Sequence, residues 1–539
     1  MKDKPRRAVA ASTRAGSVPV ETELKLALDP AAAATVARHP AVKTLKRGHA
    51  RNARLIATYF DTVDGDLAAA GIGLRLRREG KHIVQTVKGP TGSDRTAGMG
   101  SRAEYEWPVT SARLDPLRFA TTPFRRVLGK AEKRGLAARF VTDYVRTSIP
   151  LTFPDSTMAT LCIDIGEIRT VDGGPLVRAP LHEIELELEA GDPLRLLELA
   201  QLLAQTLPLT LEPASKAERG YRLREPATLA PVRAFDADLD KSATASEAFA
   251  AIIHACLAQI EGNAAGLCSD DDPEWIHQMR IGVRRLRACL SLGRAAFPAA
   301  QLEPLRVELR WLAQALGPAR DLDVFVTSTL PAFKTALARG SGAGPLDGAL
   351  RSLVARARRQ RTLSRSAARA AVSSSRFVHL ILAAAALAAQ PAGTNATEPA
   401  PTFDVCTGLA RDFARPLLKR RHRQLLELGH DLAHAQPAAR HAARLAAKKL
   451  RYATEFFAPL FPRKRTRDYR RALAVLQEEL GLWNDAAVAA GLAATISGAE
   501  SAVAAAFSGA AAAAGAAREQ ALTQAWDAFA KASSFWTRH

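Results

Sequence analysis

The sequence predicts two domains of different class: an N-terminal α+β domain built on a closed antiparallel sheet, and a C-terminal all-α domain. Residues 18–225 alternate charged and apolar side chains with the period of two of a β-strand. After a linker predicted at 226–240, residues 241–539 carry Ala, Leu and Arg at helical spacing and contain an internal repeat. We expect residues 1–17 to form a disordered basic leader.

The chain is strongly basic, with a formal net charge of +21 and an isoelectric point near 10.2. Such a balance is typical of proteins that bind nucleic acid, acidic membranes or phosphate polymers, although a solvated basic surface would produce it too. Aromatic residues make up only 6% of the chain, which disfavours a protein that stacks bases, and no nucleic-acid reader motif is present. We therefore expect a phosphate-rich partner and no specific nucleic acid.

Five cysteines are scattered through the sequence without a CxxC pair. An odd, dispersed set is typical of a reducing compartment and argues against both a disulfide framework and a thiolate zinc site. The start of the chain has no continuous apolar core, and the most apolar run, at 377–389, is shorter than the roughly 20 residues of a membrane span. We expect a soluble cytoplasmic protein with no membrane partner.

The first predicted strand, within residues 18–27, carries Glu21, Glu23 and Lys25 on one face and apolar residues on the other. Later segments repeat this pattern, mostly in blocks of one sign: Arg75 and Arg77; Thr86 and Lys88; Arg102, Glu104 and Glu106; Asp164 and Gly166; and Glu183, Glu185 and Glu187. One such strand fits a sheet with a solvated face. The whole set predicts a barrel with the charges inside and apolar residues outside, covered by helices at 117–140 and 193–207.

Six motifs follow one another in this half: Glu21-Thr-Glu-Leu-Lys25, Tyr59-Phe-Asp-Thr62, Leu74-Arg-Leu-Arg77, Thr86-Val-Lys-Gly89, Glu183-Ile-Glu-Leu-Glu187 and Ser215-Lys-Ala-Glu-Arg-Gly-Tyr221. Together they resemble a CYTH domain, the fold of the triphosphate tunnel metalloenzymes. The resemblance implies an eight-stranded antiparallel β-tunnel that hydrolyses triphosphate compounds with a divalent metal, usually Mg²⁺ or Mn²⁺. We expect inorganic triphosphate as the substrate. A class IV adenylate cyclase, a thiamine triphosphatase and a non-enzymatic polyphosphate-binding protein are the alternatives.

The resemblance also implies roles for individual residues. Arginine and lysine side chains suit a triphosphate cradle, and the candidates are Lys25, Arg75, Arg77, Lys88, Arg146, Lys216 and Arg219. Glu21 and Glu23 are the implied metal ligands, and further candidates are Glu104, Glu106, Asp164, Glu183, Glu185 and Glu187. An all-carboxylate set favours a hard cation. We expect Glu183, Glu185 and Lys25 to be catalytic. Which of Glu183, Glu185 and Glu187 activates water stays open.

The helical half contains a repeat. His277–Arg287 aligns with His441–Arg451 at an offset of 441 − 277 = 164, and the same offset pairs Asp321 with Asp485. We therefore predict two pseudo-symmetric halves, at about 241–390 and 403–539. On a helix the repeated basic residues form one stripe in each half, His277, Arg280, Arg284 and Arg287 in the first and His441, Arg444, Lys448 and Arg451 in the second. Although one basic stripe is usually a solvated face, two related stripes predict one continuous groove.

The repeated His-x-x-Arg and Leu-Gly-x-x-x-Asp patterns, with Lys448-Lys-Leu-Arg-Tyr452, resemble a CHAD domain. The resemblance implies that the two stripes bind polyphosphate. A further basic run, Lys419-Arg-Arg-His-Arg423, is an additional candidate. We expect polyphosphate as a partner and polyphosphate granules as one place where the protein could gather. The sequence leaves the oligomeric state open.

Overall fold

A computed structural model describes residues 19–91, 98–171, 173–212, 214–223, 229–295, 297–339, 346–390, 407–429, 432, 435–498 and 501–537. The leader predicted at 1–17 lies outside these residues. The chain divides into two compact units. The first, which we call the tunnel unit, comprises Met1–Leu229 and Ser374–Ala386, and the second, the helical unit, comprises Ala230–Ser373 and Leu387–His539.

The tunnel unit is built on one antiparallel sheet. Its strands are β1 Val20–Ala27, β2 Arg51–Asp61, β3 Gly73–Glu79, β4 His82–Pro90, β5 Met99–Val109, β6 Ala137–Thr152, β7 Met158–Thr170, β8 Arg178–Ala190 and the two-residue β9 Thr210–Leu211. The first eight are ordered β5-β4-β3-β2-β6-β7-β8-β1, and β1 pairs back with β5. The sheet therefore closes into the predicted eight-stranded tunnel, and β9 adds only a short pairing to β1.

Neighbouring strands place opposite charges side by side. Three such pairs are Lys25 opposite Glu185, Lys88 opposite Glu104, and Arg146 opposite Asp164. The alternate residues Leu24, Leu26 and Leu186 are fully buried outside the tunnel. The period of two read from the sequence thus separates a charged interior from an apolar exterior.

Helices cover the apolar exterior. The short α1 Ala33–Arg38, α2 Pro40–Leu45 and α3 Asp66–Ala69 precede α4 Arg125–Arg134, α5 Leu194–Thr206 and α6 Lys216–Arg222. On α5 the leucines at 196, 199 and 203 share one face and are buried, as an amphipathic helix requires. The helix predicted at 117–140 is wrong in its extent: a 3₁₀ turn, Pro116–Thr121, precedes α4, and the last residues of this stretch already begin β6. Phe140 and the β-branched Val141 and Thr142 that follow it favour a strand.

The helical unit contains no strand among its described residues, as predicted for an all-α domain. The helices of the second half of the chain are α7 Ala245–Ser269, α8 Pro273–Leu292, α9 Ala299–Val324, α10 Leu330–Arg339, α11 Asp347–Val372, α12 Ser375–Ala389, α13 Ala410–Leu428, α14 Pro437–Phe457, α15 Arg463–Ser497, α16 Ala502–Ala516 and α17 Glu519–Ala530. A π-helical turn, Phe325–Thr329, separates α9 from α10.

The sequence repeat is also a structural repeat. Helices α7 and α8 pack together in the first half as α13 and α14 do in the second. Where α7 and α13 begin, the two halves exchange a reciprocal pair of backbone hydrogen bonds: Ala245 N donates to Gly408 O at 3.0 Å, and Ala410 N donates to Ala243 O at 2.9 Å. Such an exchange is what a local two-fold axis between the starts of the two helices produces.

Helix α12 differs from the sequence-based domain division. It lies within the predicted first helical half, but Ser374–Ala386 belongs to the tunnel unit. There Ser375 Oγ donates to Leu207 O at 3.4 Å, and Gln201 Nε2 donates to Leu382 O at 3.3 Å. The consecutive residues 380–382 are all fully buried. A helix that is apolar all round can be buried wherever neighbouring elements offer an apolar surface, so its sequence position did not determine where it packs.

The predicted linker at 226–240 has neither helix nor strand over 229–240, and 224–228 lie outside the described residues. Side chains of α7 and α8 hold its second part: Asn263 bonds both the N–H and the C=O of Val232, and Arg285 Nη2 donates to Phe235 O at 2.7 Å.

Among the described residues, no single helix has the length and apolar character needed to cross a membrane. One pair, Asp347–Val372 with Ser375–Ala389, meets that test of length and composition only when its two members are taken together across a 54° bend.

Candidate functional site

The tunnel contains a cavity of about 190 Å³. Among the described residues, seven cationic and six anionic side chains line it: Lys25, Arg75, Arg77, Lys88, Arg102, Arg146 and Lys216, with Glu21, Glu23, Glu104, Glu106, Glu185 and Glu187. Six of the seven predicted phosphate-binding residues are in this set, and Arg219 is not. Six of the eight predicted metal ligands are also present. The other two, Asp164 and Glu183, are fully buried behind the lining.

The deeper end of the site is a group that we call the inner cluster, the carboxylates of Asp164, Glu183 and Glu185 with the cations that contact them. Lys216 Nζ lies 2.8 Å from Asp164 Oδ2, 2.5 Å from Glu183 Oε1 and 2.9 Å from Glu185 Oε1. Lys25 Nζ lies 2.7 Å from Glu185 Oε1. These five side chains are 5% exposed or less, so solvent screens their charges weakly.

Two arginines complete the inner cluster. Arg146 donates to both carboxylate oxygens of Asp164, at 2.8 and 2.7 Å, and also contacts Glu185. Arg219 Nη1 donates to Glu183 Oε2 at 2.8 Å. Because a guanidinium fork matches a carboxylate in two places, this contact fixes Asp164 in orientation as well as in charge.

The inner cluster perturbs its own titration. Burial alone would raise the pKa of Glu185, but the ammonium groups of Lys216 and Lys25 lower it well below its usual value. Burial opposes the charged form of Lys216, yet the carboxylates of Asp164 and Glu183 raise its pKa well above the usual range. Glu187 behaves differently, because burial and the carboxylates of Glu185 and Glu21 raise its pKa against the effect of Arg146.

A second group, which we call the outer cluster, lies on β1, β3, β4 and β5. It consists of the side chains of Glu21, Arg77, Lys88, Glu104 and Glu106. Lys88 contacts Glu21 and lies 3.1 Å from Glu104, and Arg77 donates to Glu106 at 3.0 Å. Burial would raise the pKa of Glu106, but nearby arginines, Arg77 foremost, lower it. Each carboxylate of the outer cluster thus has a cationic neighbour, as in the inner cluster.

Two tyrosines of the site were not singled out by the charge pattern. Tyr59 and Tyr144 both line the cavity, Arg75 donates to the Tyr59 hydroxyl at 3.3 Å, and Lys216 Nζ lies 5.3 Å from the centre of the Tyr144 ring. A Cβ at Gly166 would lie 2.2 Å from Asp143 O and 2.5 Å from Tyr144 Cα, so this glycine lets β7 approach the backbone of β6 closely at Tyr144. The sequence did contain a signal for Tyr144. It lies two residues before Arg146, and residues two apart on a strand share a face, so Tyr144 points into the tunnel with Arg146.

Helix α6 carries Lys216, and its start lines the cavity. The Ser215 hydroxyl and the Glu218 carboxylate form a capping box that fixes where the helix begins. A Cβ at Gly220 would lie 2.1 Å from the ring of Phe140, so only glycine lets α6 approach β6 this closely. Tyr221 packs edge-on against the same ring at 5.1 Å. The conformation and packing of α6 therefore place Lys216 inside the tunnel.

The donor set of the tunnel suits a hard divalent cation. Carboxylate oxygens of Asp164, Glu183 and Glu185 lie within 4.8 Å of one another, a spacing at which three ligands can hold one ion. The seven cations and six carboxylates that line the described part of the cavity nearly cancel. A divalent cation would add positive charge to this lining.

The helical unit contains a larger cavity, of about 490 Å³, which we call the basic cavity. Its charged lining, among the described residues, is His277, Arg280, Arg284, Arg320, Arg444 and Lys448 with Asp321 and Asp485. The two predicted stripes thus meet in one place. In the first half Arg280 Nη2 lies 4.0 Å from Asp321, one of the two aspartates that the repeat pairs.

The cations of the basic cavity repel one another. Burial, together with neighbouring arginines such as Arg444 and Arg284, lowers the pKa of Lys448 to about 8. Burial and Arg284 likewise lower the pKa of Arg280, although Asp321 opposes this effect. Groups with lowered pKa values gain from any anion that enters the cavity.

Three residues of the predicted stripes lie elsewhere. Arg287 is not in the lining, and burial with the nearby Arg310 and Arg306 lowers its pKa. Arg451 Nε donates to Glu455 at 2.7 Å. His441 lines a separate cavity of about 410 Å³ with Arg440 and Trp483. A helical stripe turns gradually around its axis, so its two ends need not face the same cavity.

In the further basic run, Arg420, Arg421 and Arg423 line a shallow surface depression. His422 instead packs against Tyr469, Phe529 and Trp536 and bonds the Tyr469 hydroxyl at 2.9 Å, so it belongs to an aromatic cluster.

Arg320 lines the basic cavity but was not predicted. The repeat offset pairs it with Asn484, which also lines the cavity. Since the repeat does not preserve its charge, the search for repeated basic residues passed over it.

Comparison with known proteins agrees with the division of the chain. Residues 20–221 match the CYTH domain family, and residues 251–494 match the CHAD domain family. The chain therefore contains a CYTH domain followed by a CHAD domain.

A curated relative, an inorganic triphosphatase from Haemophilus influenzae, is 31% identical over 209 residues, which cover 38% of this chain and 54% of that protein. The chain thus spans about half the length of this relative.

Two solved structures are similar to parts of the chain. The CHAD domain from the plant Ricinus communis is 35% identical, with a TM-score of 0.45, and covers 55% of this chain and 96% of its own. PptA from Streptomyces chartreusis is 22% identical, with a TM-score of 0.39, and covers 54% of this chain and 99% of its own.

Proposed function

We propose that the CYTH domain hydrolyses inorganic triphosphate to pyrophosphate and phosphate in a reaction that requires Mg²⁺ or Mn²⁺. The observation that carries this proposal is one cavity, inside a closed tunnel, lined by many cations and many carboxylates together. Cations bind the phosphate chain, and carboxylates bind the metal and move protons. The triphosphatase relative from Haemophilus influenzae supports the same substrate class.

In this proposal Arg75, Arg77, Lys88 and Arg146 hold the phosphate chain, because guanidinium and ammonium groups donate to several phosphate oxygens. Glu21, Glu23, Glu104 and the neighbouring carboxylates of the lining hold the metal. When bound, the metal neutralises phosphate charge and stabilises the leaving oxygen.

The hydrolysis itself transfers one phosphoryl group to water. The water oxygen forms a bond to a terminal phosphorus as the bridging phosphorus–oxygen bond breaks and pyrophosphate leaves. A carboxylate takes the proton of the water, and we assign this role to Glu187, which lines the cavity and whose pKa is raised by burial and by the carboxylates of Glu185 and Glu21. Glu185, whose pKa the lysines lower, stays ionised and holds Lys25 at 2.7 Å.

The lining also bears on the alternatives. Thirteen charged side chains (seven cations and six carboxylates) leave little apolar surface for the base of ATP or the rings of thiamine triphosphate. This favours inorganic triphosphate over an adenylate cyclase or a thiamine triphosphatase. A purely binding tunnel has less support, because a binder of polyphosphate gains nothing from six carboxylates that repel its ligand.

For the helical unit we propose polyphosphate binding at the basic cavity. Basic residues from both halves of the repeat, His277, Arg280 and Arg284 with Arg444 and Lys448, line a space of about 490 Å³. Since only two carboxylates accompany them among the described residues, the cavity offers a long polyanion an almost uninterrupted set of donors.

The deciding experiment measures phosphate release from inorganic triphosphate, ATP and thiamine triphosphate, each with Mg²⁺, Mn²⁺ or a chelator. We expect metal-dependent turnover that is fastest with inorganic triphosphate. Absence of turnover with every compound would reject the enzyme. Cyclic AMP formed from ATP would favour the cyclase instead.

A further inference from the structure

Lys216 is held among the three carboxylates of the inner cluster. Its ammonium lies 2.8 Å from Asp164, 2.5 Å from Glu183 and 2.9 Å from Glu185. The same three carboxylates have the mutual spacing that suits one metal ion. The ammonium of Lys216 therefore stands where a cation bound by these oxygens would lie, and like charges cannot share that position.

Lys216 also stands between the cavity and two of these carboxylates. Lys216 and Glu185 line the cavity, whereas Asp164 and Glu183 do not line it and are fully buried. Lys216 is the lining cation that contacts both of these buried carboxylates within 3 Å.

The inner cluster is already compensated in charge. Its three carboxylates are in contact with four cationic side chains, those of Lys25, Arg146, Lys216 and Arg219. Buried charges interact strongly because little solvent separates them. Binding of a divalent cation beside all four cationic side chains would be strongly disfavoured. One of these side chains must therefore move away from the carboxylates first.

Lys216 is the member best able to leave. Its backbone is fixed at the capped start of α6, but its side chain has four rotatable bonds and already faces the cavity. A phosphate group in the cavity offers it charged acceptors to replace the carboxylates. Arg146, by contrast, is tied to Asp164 by two hydrogen bonds and to Glu187 by a third.

We propose that Lys216 gates the inner cluster, whose carboxylates accept a divalent cation only after the ammonium has turned to a phosphate group in the cavity. The inference rests on the proposed triphosphatase function and adds coupling between its two ligands. Triphosphate then favours metal binding at the inner cluster and, by linkage, the metal favours triphosphate. A free divalent cation binds the resting inner cluster weakly.

The test measures Mn²⁺ binding to the full chain without any phosphate, by the electron paramagnetic resonance signal of free Mn²⁺. We expect Lys216→Met to bind Mn²⁺ about tenfold more tightly than the wild type, a typical size for a coupling of this kind. Lys216→Gln provides a second uncharged variant. Lys216→Arg keeps the charge and should show no gain. The double variant Lys216→Met/Glu183→Gln should lose the gain, because it removes one of the three ligands.

Unchanged Mn²⁺ affinity in a folded Lys216→Met chain, as judged by circular dichroism and thermal melting, would overturn the inference. A gain that persists with Glu183→Gln would overturn it too, since the ion would then bind elsewhere. Phosphate release by the wild type with Mg²⁺ is measured separately. If the wild type hydrolyses triphosphate but Lys216→Met binds Mn²⁺ no more tightly than the wild type, only the inference about Lys216 is rejected. If the wild type hydrolyses none of the triphosphate compounds, the proposed function is rejected.

Discussion

The tunnel cavity and the basic cavity both gather positive side chains, but they differ in what accompanies those side chains. Within the described residues, six carboxylates stand beside seven cations in the tunnel, and two stand beside five lysines and arginines in the basic cavity. The mixed set can hold a metal, bind phosphate and move a proton in one place. The nearly single-signed set suits holding a polyanion.

The two cavities also differ in how their lysines titrate. In the tunnel, carboxylates raise the pKa of Lys216 well above its usual value, so its charge is satisfied within the protein. In the basic cavity, burial and neighbouring arginines lower the pKa of Lys448 to about 8. Because burial and the repulsion of the arginines outweigh the attraction of Asp485, Lys448 gains from any further anion that it can bind. The comparison thus separates a cavity whose cations are balanced by carboxylates from one in which cations predominate.

The largest effect should come from a single tunnel carboxylate. Glu23→Gln keeps the shape of the side chain but removes a charge that lies 3.6 Å from Lys25 and lines the cavity. We expect kcat to fall about a thousandfold, within the range for losing one electrostatic group of an active site. Phosphate release at saturating metal measures it.

Glu189→Gln is the matched control, because Glu189 is exposed at the end of β8, accepts a hydrogen bond from Thr160 and is not part of the cavity lining. If Glu23→Gln were about as active as the control, Glu23 would not be one of the metal ligands. The carboxylates of the tunnel would then distinguish its chemistry from that of the basic cavity less clearly.

Removal of two cations from the basic cavity should affect binding alone. We expect Arg284→Gln with Lys448→Gln to weaken polyphosphate binding about a hundredfold, roughly tenfold for each lost charged contact. Triphosphate turnover should stay at the wild-type level. Fluorescence anisotropy with labelled polyphosphate at fixed salt measures the affinity.

The double variant Arg287→Gln/Arg451→Gln has the same loss of charge on the same two helices but outside the cavity lining. It should lose much less affinity. An equal loss in both double variants would mean that net charge, not the cavity, attracts the ligand.

Gly220→Ala should disturb the tunnel through packing rather than charge. The new methyl group would lie about 2 Å from the ring of Phe140 and force α6 outward, which costs roughly 1–3 kcal/mol of stability. Because α6 carries Lys216, we also expect a lower kcat/KM for triphosphate. Thermal unfolding and steady-state kinetics measure the two effects.

Gly129→Ala is the control, since Gly129 lies in the middle of α4 with open space around it. It should be neutral or stabilising by up to about 1 kcal/mol. If both glycine variants behaved alike, α6 would not depend on its close approach to β6.

The smallest effect should be a pH dependence confined to the basic cavity. Lys448 is charged below its pKa of about 8 and neutral above it. Polyphosphate binds the charged form better, so its affinity should hold near pH 7 and fall roughly fivefold as the pH rises through about 8 to 9, the contribution of one partly exposed charge. Lys448→Arg stays charged throughout and should bind equally across this range. A fall that persists in Lys448→Arg would assign the titration to another group.

Much of the tunnel followed from its sequence. The period of two placed Glu21, Glu23 and Lys25 on one strand face, and the strand order confirms that these faces point into a closed tunnel. Such local alternation survives folding because a strand that slipped by one residue would bury its charges in the apolar exterior. Tyr59 belonged to a motif but was given no role, and Tyr144 escaped notice, because an aromatic residue in a strand most often packs in the core.

The helical half was less predictable in detail. The repeat anticipated that His277 and Arg284 would share a cavity with Arg444, but the same stripes also contained Arg287 and Arg451, which lie outside it. Which end of a stripe faces the cavity depends on the angles at which neighbouring helices cross. The sequence of a single helix does not determine those angles. Helix α12 is the clearest case, because its uniform apolar composition gave no direction to its packing.

The sequence by itself determined the two domain classes, the inward charges of the strands and the repeat of the helical half. These depend on local periodicity and composition, which each segment carries alone. Only the tertiary structure decided that Lys216 lies among Asp164, Glu183 and Glu185, and that Asp164 and Glu183 are buried behind it. These partners lie up to 216 − 164 = 52 residues apart, so their meeting depends on strand register and on the packing of α6 through Gly220. Distances across the fold are set by that packing, and no single segment encodes them.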